Sequence, residues 1–138
     1  MNINTASSAF IFRPATLHDI DSLLQIEQAC FSSDRLSRRS FKRWIQAAHG
    51  ILLVAEHQQN VVGYGLVWCH KGTRLARLYS LAVLPAMRGT GLARQLLTLL
   101  ERETAERNCL YLRLEVAENN VGAINLYQSC GYFIFGEY

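Results

Sequence analysis

The chain has 138 residues, half of them hydrophobic, and a net charge of +3. That length fits one domain with a real core, and no apolar run reaches the ~18 residues a bilayer span requires. Residues 1–9 are polar and lack a basic-then-apolar leader, so the chain reads as cytoplasmic with a short frayed lead-in.

Phe10 to Arg13 is a short apolar run stopped by Pro14, a first strand. Thr16 caps a helix, with Asp19 three residues on as its capping-box partner. The apolar stripe of that helix is Leu17, Ile20, Leu23, Leu24 and Ile26-Glu27, ending near Phe31. After a loop at Ser32-Ser33-Asp34, Ser37 or Ser40 starts a second helix carrying Phe41, Trp44 and Ile45 on one face and ending at His49-Gly50. Ile51 to Ala55 and Val61 to Cys69 read as a hairpin around the turn Gln58-Gln59-Asn60. Gly63 and Gly65 in its second strand suggest a bulge or a close backbone approach. A turn at Lys71-Gly72 leads into a long strand, Arg74 to Leu84.

Next comes Pro85 and then Arg88-Gly89-Thr90-Gly91-Leu92-Ala93, opening a helix with Leu92, Leu96, Leu99 and Leu100 at helical spacing, to about Asn108. Leu110 to Val116 reads as a strand, with Leu110, Leu112, Leu114 and Val116 on one face and Tyr111, Arg113 and Glu115 on the other. Asn119-Asn120 caps a helix that runs through Cys130; Gly131 ends it, and Tyr132 to Phe135 begins a last strand of aromatic core residues. The order is β-α-α-β-β-β-α-β-α-β. The crossover from 74 to 116 predicts a right-handed β-α-β unit with parallel strands beside an antiparallel hairpin.

The stretch from Arg88 to Ala93 carries the chemistry. A strand, a tight turn with two glycines and a helix start aim several backbone N–H groups at one spot, and the helix dipole makes that end positive. Such a turn suits phosphate, which glycine lets approach without a clash against Cβ. It is neither a P-loop, since no Lys-Ser/Thr pair follows, nor a Gly-x-Gly-x-x-Gly dinucleotide turn. On its own it can equally be a strand-to-helix turn that needs glycine.

Cys30, Cys69, Cys109 and Cys130 form no Cys-x-x-Cys pair and read as buried reduced thiols. His18, His49, His57 and His70 lack paired-ligand spacing, so no metal is expected. Arg35, Arg38, Arg39, Lys42 and Arg43 make a basic segment opposed only by Asp34. It reads as a solvated helix face, or as a contact for an anionic cofactor or acidic peptide. No recognition motif accompanies it, so no nucleic-acid partner is expected.

In this order the elements resemble the GNAT superfamily of acyl-CoA-dependent N-acetyltransferases. Arg88, Gly91 and Ala93 fill the fixed positions of that family's Arg/Gln-x-x-Gly-x-Gly/Ala motif, and the run Leu78 to Pro85 resembles its central strand. The block from Leu114 to Tyr132 is similar to the branch that acetylates protein N-termini, typified by the ribosomal-protein-alanine N-acetyltransferases. The resemblance covers nearly the whole chain and implies one domain over residues 1–138. It implies an α/β (α+β) fold: a mixed, mostly antiparallel sheet with one parallel, splayed strand pair and helices on both faces. Relatives usually continue past the position of Tyr138 into a closing strand of the acceptor site; its absence from this sequence implies either a truncated chain or a more open acceptor site, and an uncovered edge suits a monomer or weak homodimer.

The resemblance further implies acetyl-CoA as co-substrate. Its pyrophosphate would meet the backbone of Arg88, Gly89, Thr90, Gly91, Leu92 and Ala93. Its pantetheine arm would pair with Leu81 and Val83, around Ala82, and Asn120 and Tyr127 would lie beside the arm and thioester. Glu115 is implied as general base and Tyr127 as the acid that protonates the leaving thiolate, with the N–H of Val83 or a neighbour polarising the thioester carbonyl. Glu115 as an ion-pair partner of Arg77 or Arg113, Tyr127 as a core residue and Asn120 as a plain helix cap are the alternatives. A protein or peptide N-terminal α-amine is the expected acceptor, because its pKa near ~8 suits a weak base better than a lysine near ~10.4. A polyamine or aminoglycoside acceptor, or a non-catalytic acyl-CoA-binding module, is the competing reading.

Overall fold

A computed structural model of the chain describes residues 10–135. The lead-in expected over residues 1–9 lies outside the described residues, as does the chain past Phe135. Five strands form one sheet in sequence order: β1 (Ile11–Pro14), β2 (Gly50–His57), β3 (Asn60–Cys69), β4 (Leu75–Val83) and β5 (Tyr111–Arg113). The first three pairings are antiparallel and β4 with β5 is parallel. Helices α1 (Ile20–Cys30) and α2 (Arg38–Gln46) cover one face; α3 (Leu92–Glu106) and α4 (Val121–Ser129) lie on the other.

Side-chain alternation divides the core between the faces. Ile51, Leu53 and Ala55 of β2 pack with Leu92, Leu96, Leu97 and Leu100 of α3. Leu52 and Val54, one residue out of phase, pack with Leu23 and Ile26 of α1 and Phe41 of α2. Each fully buried leucine contributes about 1.5–3 kcal/mol. Gly65 marks a close approach: a Cβ there would stand 2.3 Å from Leu100 Cδ1.

The first helical segment starts as a single 3-10 turn, Leu17–Asp19, before α1. The buried Asp19 carboxylate accepts from the Thr16 N–H at 2.7 Å and from two Arg13 nitrogens at 2.8 and 2.9 Å, which ties β1 to the helix start. Ser37 is the N-cap of α2, accepting from the Ser40 N–H at 3.1 Å.

Two expectations are corrected. The strand expected over 110–116 is paired only over Tyr111–Arg113, and Leu110 and Val116 are exposed. The alternation is present in the sequence, but β5 has β4 as its only partner among the described residues, and the two part after Arg77 and Arg113. The expected last strand at 132–135 pairs with nothing there: Phe133, Ile134 and Phe135 are exposed, and only Tyr132 packs against the core. Cys69 and Cys109 are buried thiols as expected, whereas Cys30 and Cys130 are half-buried.

Candidate active site

The site forms where β4 outlasts β5. The parallel pairing covers Leu75–Arg77 against Tyr111–Arg113 and stops, so β4 runs on from Leu78 to Val83 without that neighbour. Against β3, Leu66 faces Ser80 while Val67 faces Leu78, so Tyr79 is one residue too many. Such a bulge re-aims side chains and disturbs the ladder. Before it, Ala76 and Leu78 face α3; after it, Leu81 and Val83 do. Arg77, Tyr79 and Ser80 fall on the α1/α2 face.

Past the bulge, Leu84 donates its N–H to the Val62 carbonyl. By the alternation of the ladder, the backbone groups of Leu81 and Val83 turn the other way, toward the gap left by β5. The Val83 carbonyl accepts there from the Cys30 thiol of α1 at 3.1 Å. Burial pushes the Cys30 thiol pKa up, and nearby Arg88 opposes that shift. Ala82 is buried on the opposite face, against α1.

Beyond Val83, a 3-10 turn at Pro85–Met87 leads into the glycine turn. Gly89 and Gly91 have φ of +80° and +84°, the left-handed region that glycine enters without strain. The Thr90 hydroxyl donates to the Met87 carbonyl and accepts from the Leu92 N–H. The N–H groups of Arg88 and Thr90 donate to the carbonyls of Pro85 and Met87. The N–H groups of Gly89, Gly91, Ala93 and Arg94 donate to no acceptor among the described residues. They stand at the positive end of a 15-residue helix, and nothing lies within 4 Å of where a Cβ would sit on either glycine. The adjoining open cleft, of about 250 Å3, is lined by Val83, Met87, Arg88, Arg94 and, from α4, Leu126. Free donors, open space and two arginines fit a pyrophosphate.

Tyr127, next to Leu126, packs on the α3 side and meets Tyr132 edge-on at 5.7 Å. Burial pushes its pKa up to about 12. Asn120 is the N-cap of α4, its side-chain oxygen accepting from the Ala123 N–H at 3.2 Å. Glu115 lies past the end of β5, in unpaired chain. Its carboxylate stands 3.2 Å from the Arg77 guanidinium, both side chains well exposed. Arg77 lies 4.7 Å over the Tyr79 ring, and Tyr79 meets Trp44 of α2. Glu115 is thereby on the α1/α2 face and Tyr127 on the α3/α4 face, with the splay between them.

A model of the acetyltransferase (GNAT) family matches residues 20–132. The chain belongs to the GNAT acetyltransferase family. It is therefore an acetyltransferase, and GNAT enzymes draw their acetyl group from acetyl-CoA. The ribosomal protein bS18-alanine N-acetyltransferase of Haemophilus ducreyi is 32% identical over 118 residues, 83% of this chain and 76% of that one. The solved ribosomal-protein-S18-alanine N-acetyltransferase from Escherichia coli superposes with a TM-score of 0.79 at 25% identity, over 88% of this chain and 76% of its own. An aminoglycoside antibiotic 6'-N-acetyltransferase from Acinetobacter baumannii shares the fold, with a TM-score of 0.80 at 18% identity over 94% of each chain.

The structure brings the expected Leu81, Val83, Arg88, Gly89, Gly91 and Ala93 to one cleft and gap; Thr90 and Leu92 support the turn from within. Glu115 and Tyr127 are joined by no hydrogen bond among the described residues. Met87, Arg94 and Leu126 were not singled out by the sequence. Arg94 carried a usable signal, being a second cation in the first turn of the glycine-capped helix. No helix among the described residues is long and apolar enough to cross a membrane.

Proposed function

We propose that this GNAT enzyme works in the cytoplasm, transferring the acetyl group of acetyl-CoA directly, in a ternary complex, to the N-terminal α-amine of a protein or peptide. The observation that carries the reading is the set of unpartnered N–H groups at the end of a strand whose neighbour has splayed away. The similarity to the bS18-alanine enzyme of H. ducreyi supports an α-amine as acceptor.

The N–H groups of Gly89, Gly91, Ala93 and Arg94 would hold the pyrophosphate, with Arg88 and Arg94 as counter-charges. The backbone of Leu81 and Val83 would receive the pantetheine arm in place of β5. When bound, acetyl-CoA supplies an acetyl group activated as a thioester. Glu115 takes the proton of the incoming ammonium, directly or through water. Its solvent-exposed pairing with Arg77 holds by no more than about 1 kcal/mol, so an arriving ammonium can replace the guanidinium. Tyr127 is a neutral phenol whose pKa burial raises further. It gives its proton to the departing sulfur and recovers one, directly or through water, from the nitrogen as that becomes an amide. An α-amine needs roughly 3 kcal/mol less deprotonation than a lysine, which matches a base this exposed.

Thiol release from acetyl-CoA tests the proposal. The panel holds peptides with free Ala or Ser N-termini, N-blocked peptides with one lysine, polyamines and an aminoglycoside. Turnover on free N-termini is expected. Turnover on polyamines or the aminoglycoside alone would assign the small-amine reading instead, and acetyl-CoA binding without any product would mark a binding module.

A further inference from the structure

Glu27 is a carboxylate almost fully enclosed in the α1/α2 face, 2% exposed. One oxygen accepts from the Leu36 N–H, in the loop between α1 and α2, at 2.6 Å. The other accepts from the hydroxyl of Tyr64 at 2.5 Å. Tyr64 is itself fully buried in β3, and its hydroxyl lies 2.7 Å from Ser80 Oγ in β4. Three side chains from three elements thus form a chain that ends on the strand of the proposed acetyl site.

The direction of this chain follows from counting protons. An ionised carboxylate only accepts, and a phenol has one proton to give. Burial and the bond to Glu27 push the Tyr64 pKa far above its ordinary value, so Tyr64 remains a phenol and its proton goes to Glu27. The 2.7 Å contact with Ser80 therefore needs the proton of Ser80. The serine proton is committed inward, so Ser80 Oγ has only acceptor lone pairs left to offer another group. Ser80 is half-buried, and the bulge at Tyr79 holds it on the same face as the Arg77–Glu115 pair. It is also adjacent to Leu81, where β4 has lost β5.

We propose that Ser80 Oγ accepts an N–H of the acceptor amine, and that Glu27 and Tyr64 are positioning residues that fix the serine as an acceptor. This role rests on the amine-acetylation reading above. A nucleophilic amine must keep its lone pair for the acetyl carbon. A group that accepts from its N–H holds the amine and leaves that lone pair free, whereas a serine donating outward would tie it up.

Substitution of Glu27 reverses the chain. In Glu27→Gln the single amide oxygen is required by the Leu36 N–H, so the amide nitrogen faces Tyr64 and donates to it. Tyr64 then donates to Ser80, and Ser80 donates outward. Glu27→Gln and Ser80→Ala should both raise the KM for a free-N-terminus peptide about 5–10-fold, the effect of one neutral hydrogen bond. The KM for acetyl-CoA should stay within about twofold. Ser80→Thr, which keeps the hydroxyl, should recover most of the peptide KM. All three variants and the wild type are compared by thiol release, with thermal melts alongside. An unchanged peptide KM in Ser80→Ala, or equal rises in both KM values, would overturn the role of Ser80. Failure of Ser80→Thr to recover would overturn it as well. No wild-type turnover on any amine would instead refute the parent reading, and this role with it.

Discussion

Replacing Gly91 by alanine separates the conformational role of the glycine turn from its binding role. Gly91 sits at φ +84° and ψ 5°, and an added Cβ meets no atom within 4 Å. The cost to the fold is then only that of a left-handed alanine, about 1–2 kcal/mol, or roughly 4–8 °C in Tm for a domain of this size. The effect on ligand binding should be larger. Gly91 is the N-cap of α3, and an alanine Cβ there would stand in the open space through which a phosphate reaches its N–H and those of Ala93 and Arg94. Loss of one charge-assisted hydrogen bond is worth about 1.5–3 kcal/mol, or roughly 10–150-fold in Kd. Gly72 provides the control: it also has positive φ, at +75°, with nothing near a built Cβ, but lies in the β3–β4 turn. Calorimetric titration with CoA should give a weakened Kd for Gly91→Ala and a wild-type Kd for Gly72→Ala, at similar losses of Tm. A Gly91→Ala protein with the expected loss of Tm and a Kd within twofold of wild type would refute the cradle.

Glu115→Gln and Tyr127→Phe should each lower kcat by about 10²–10⁴-fold while CoA binding persists, as steady-state rates and titration will report. Because burial raises the Tyr127 pKa to about 12, its acid form persists across the working range. The rate should therefore rise through the acceptor amine's pKa near ~8 and show no falling limb below pH ~10; a limb near pH 9 on a folded enzyme would contradict the role of Tyr127. The Asp19 carboxyl is held below its usual value, chiefly by its hydrogen bonds to Arg13. Its stabilising contribution is present above the unfolded value near ~4 and disappears as pH falls through the lowered folded value. Urea melts of Asp19→Asn should show a loss of about 2–3 kcal/mol at pH 7 that shrinks toward pH 3, the figure reduced for the partly exposed Arg13.

Local signals in the sequence translated directly where a short-range partner exists. Thr16 with Asp19, Ser37 before α2, Asn120 before α4 and the two glycines of the turn each act within a few residues, and each stands where expected. The alternation over 110–116 overstates the strand because it reports two faces, not a neighbouring strand; pairing ends at Arg113 although the alternation continues to Val116. The aromatic run after Cys130 misleads for the same reason, since Phe133 and Phe135 find no sheet to enter among the described residues. Long-range polar contacts left almost no trace. Glu27 offered one, as a carboxylate beside Ile26 on an apolar stripe, but its bonds to Tyr64 and Leu36 join segments far apart in the chain. The bulge that turns Tyr79 and Ser80 to one face was equally silent, because it is a property of β3 and β4 together. The ion pair of Glu115 with Arg77 depends on the parallel register of β4 and β5, which only the crossover topology sets.

The central claim, acetyl transfer to an α-amine, is tested most directly on one peptide that carries both a free N-terminal alanine and an internal lysine. After incubation with acetyl-CoA, fragmentation mass spectrometry locates the added acetyl group. An acetyl group confined to the N-terminal fragment ions is the predicted result. Acetyl-lysine with an unmodified N-terminus would contradict the account.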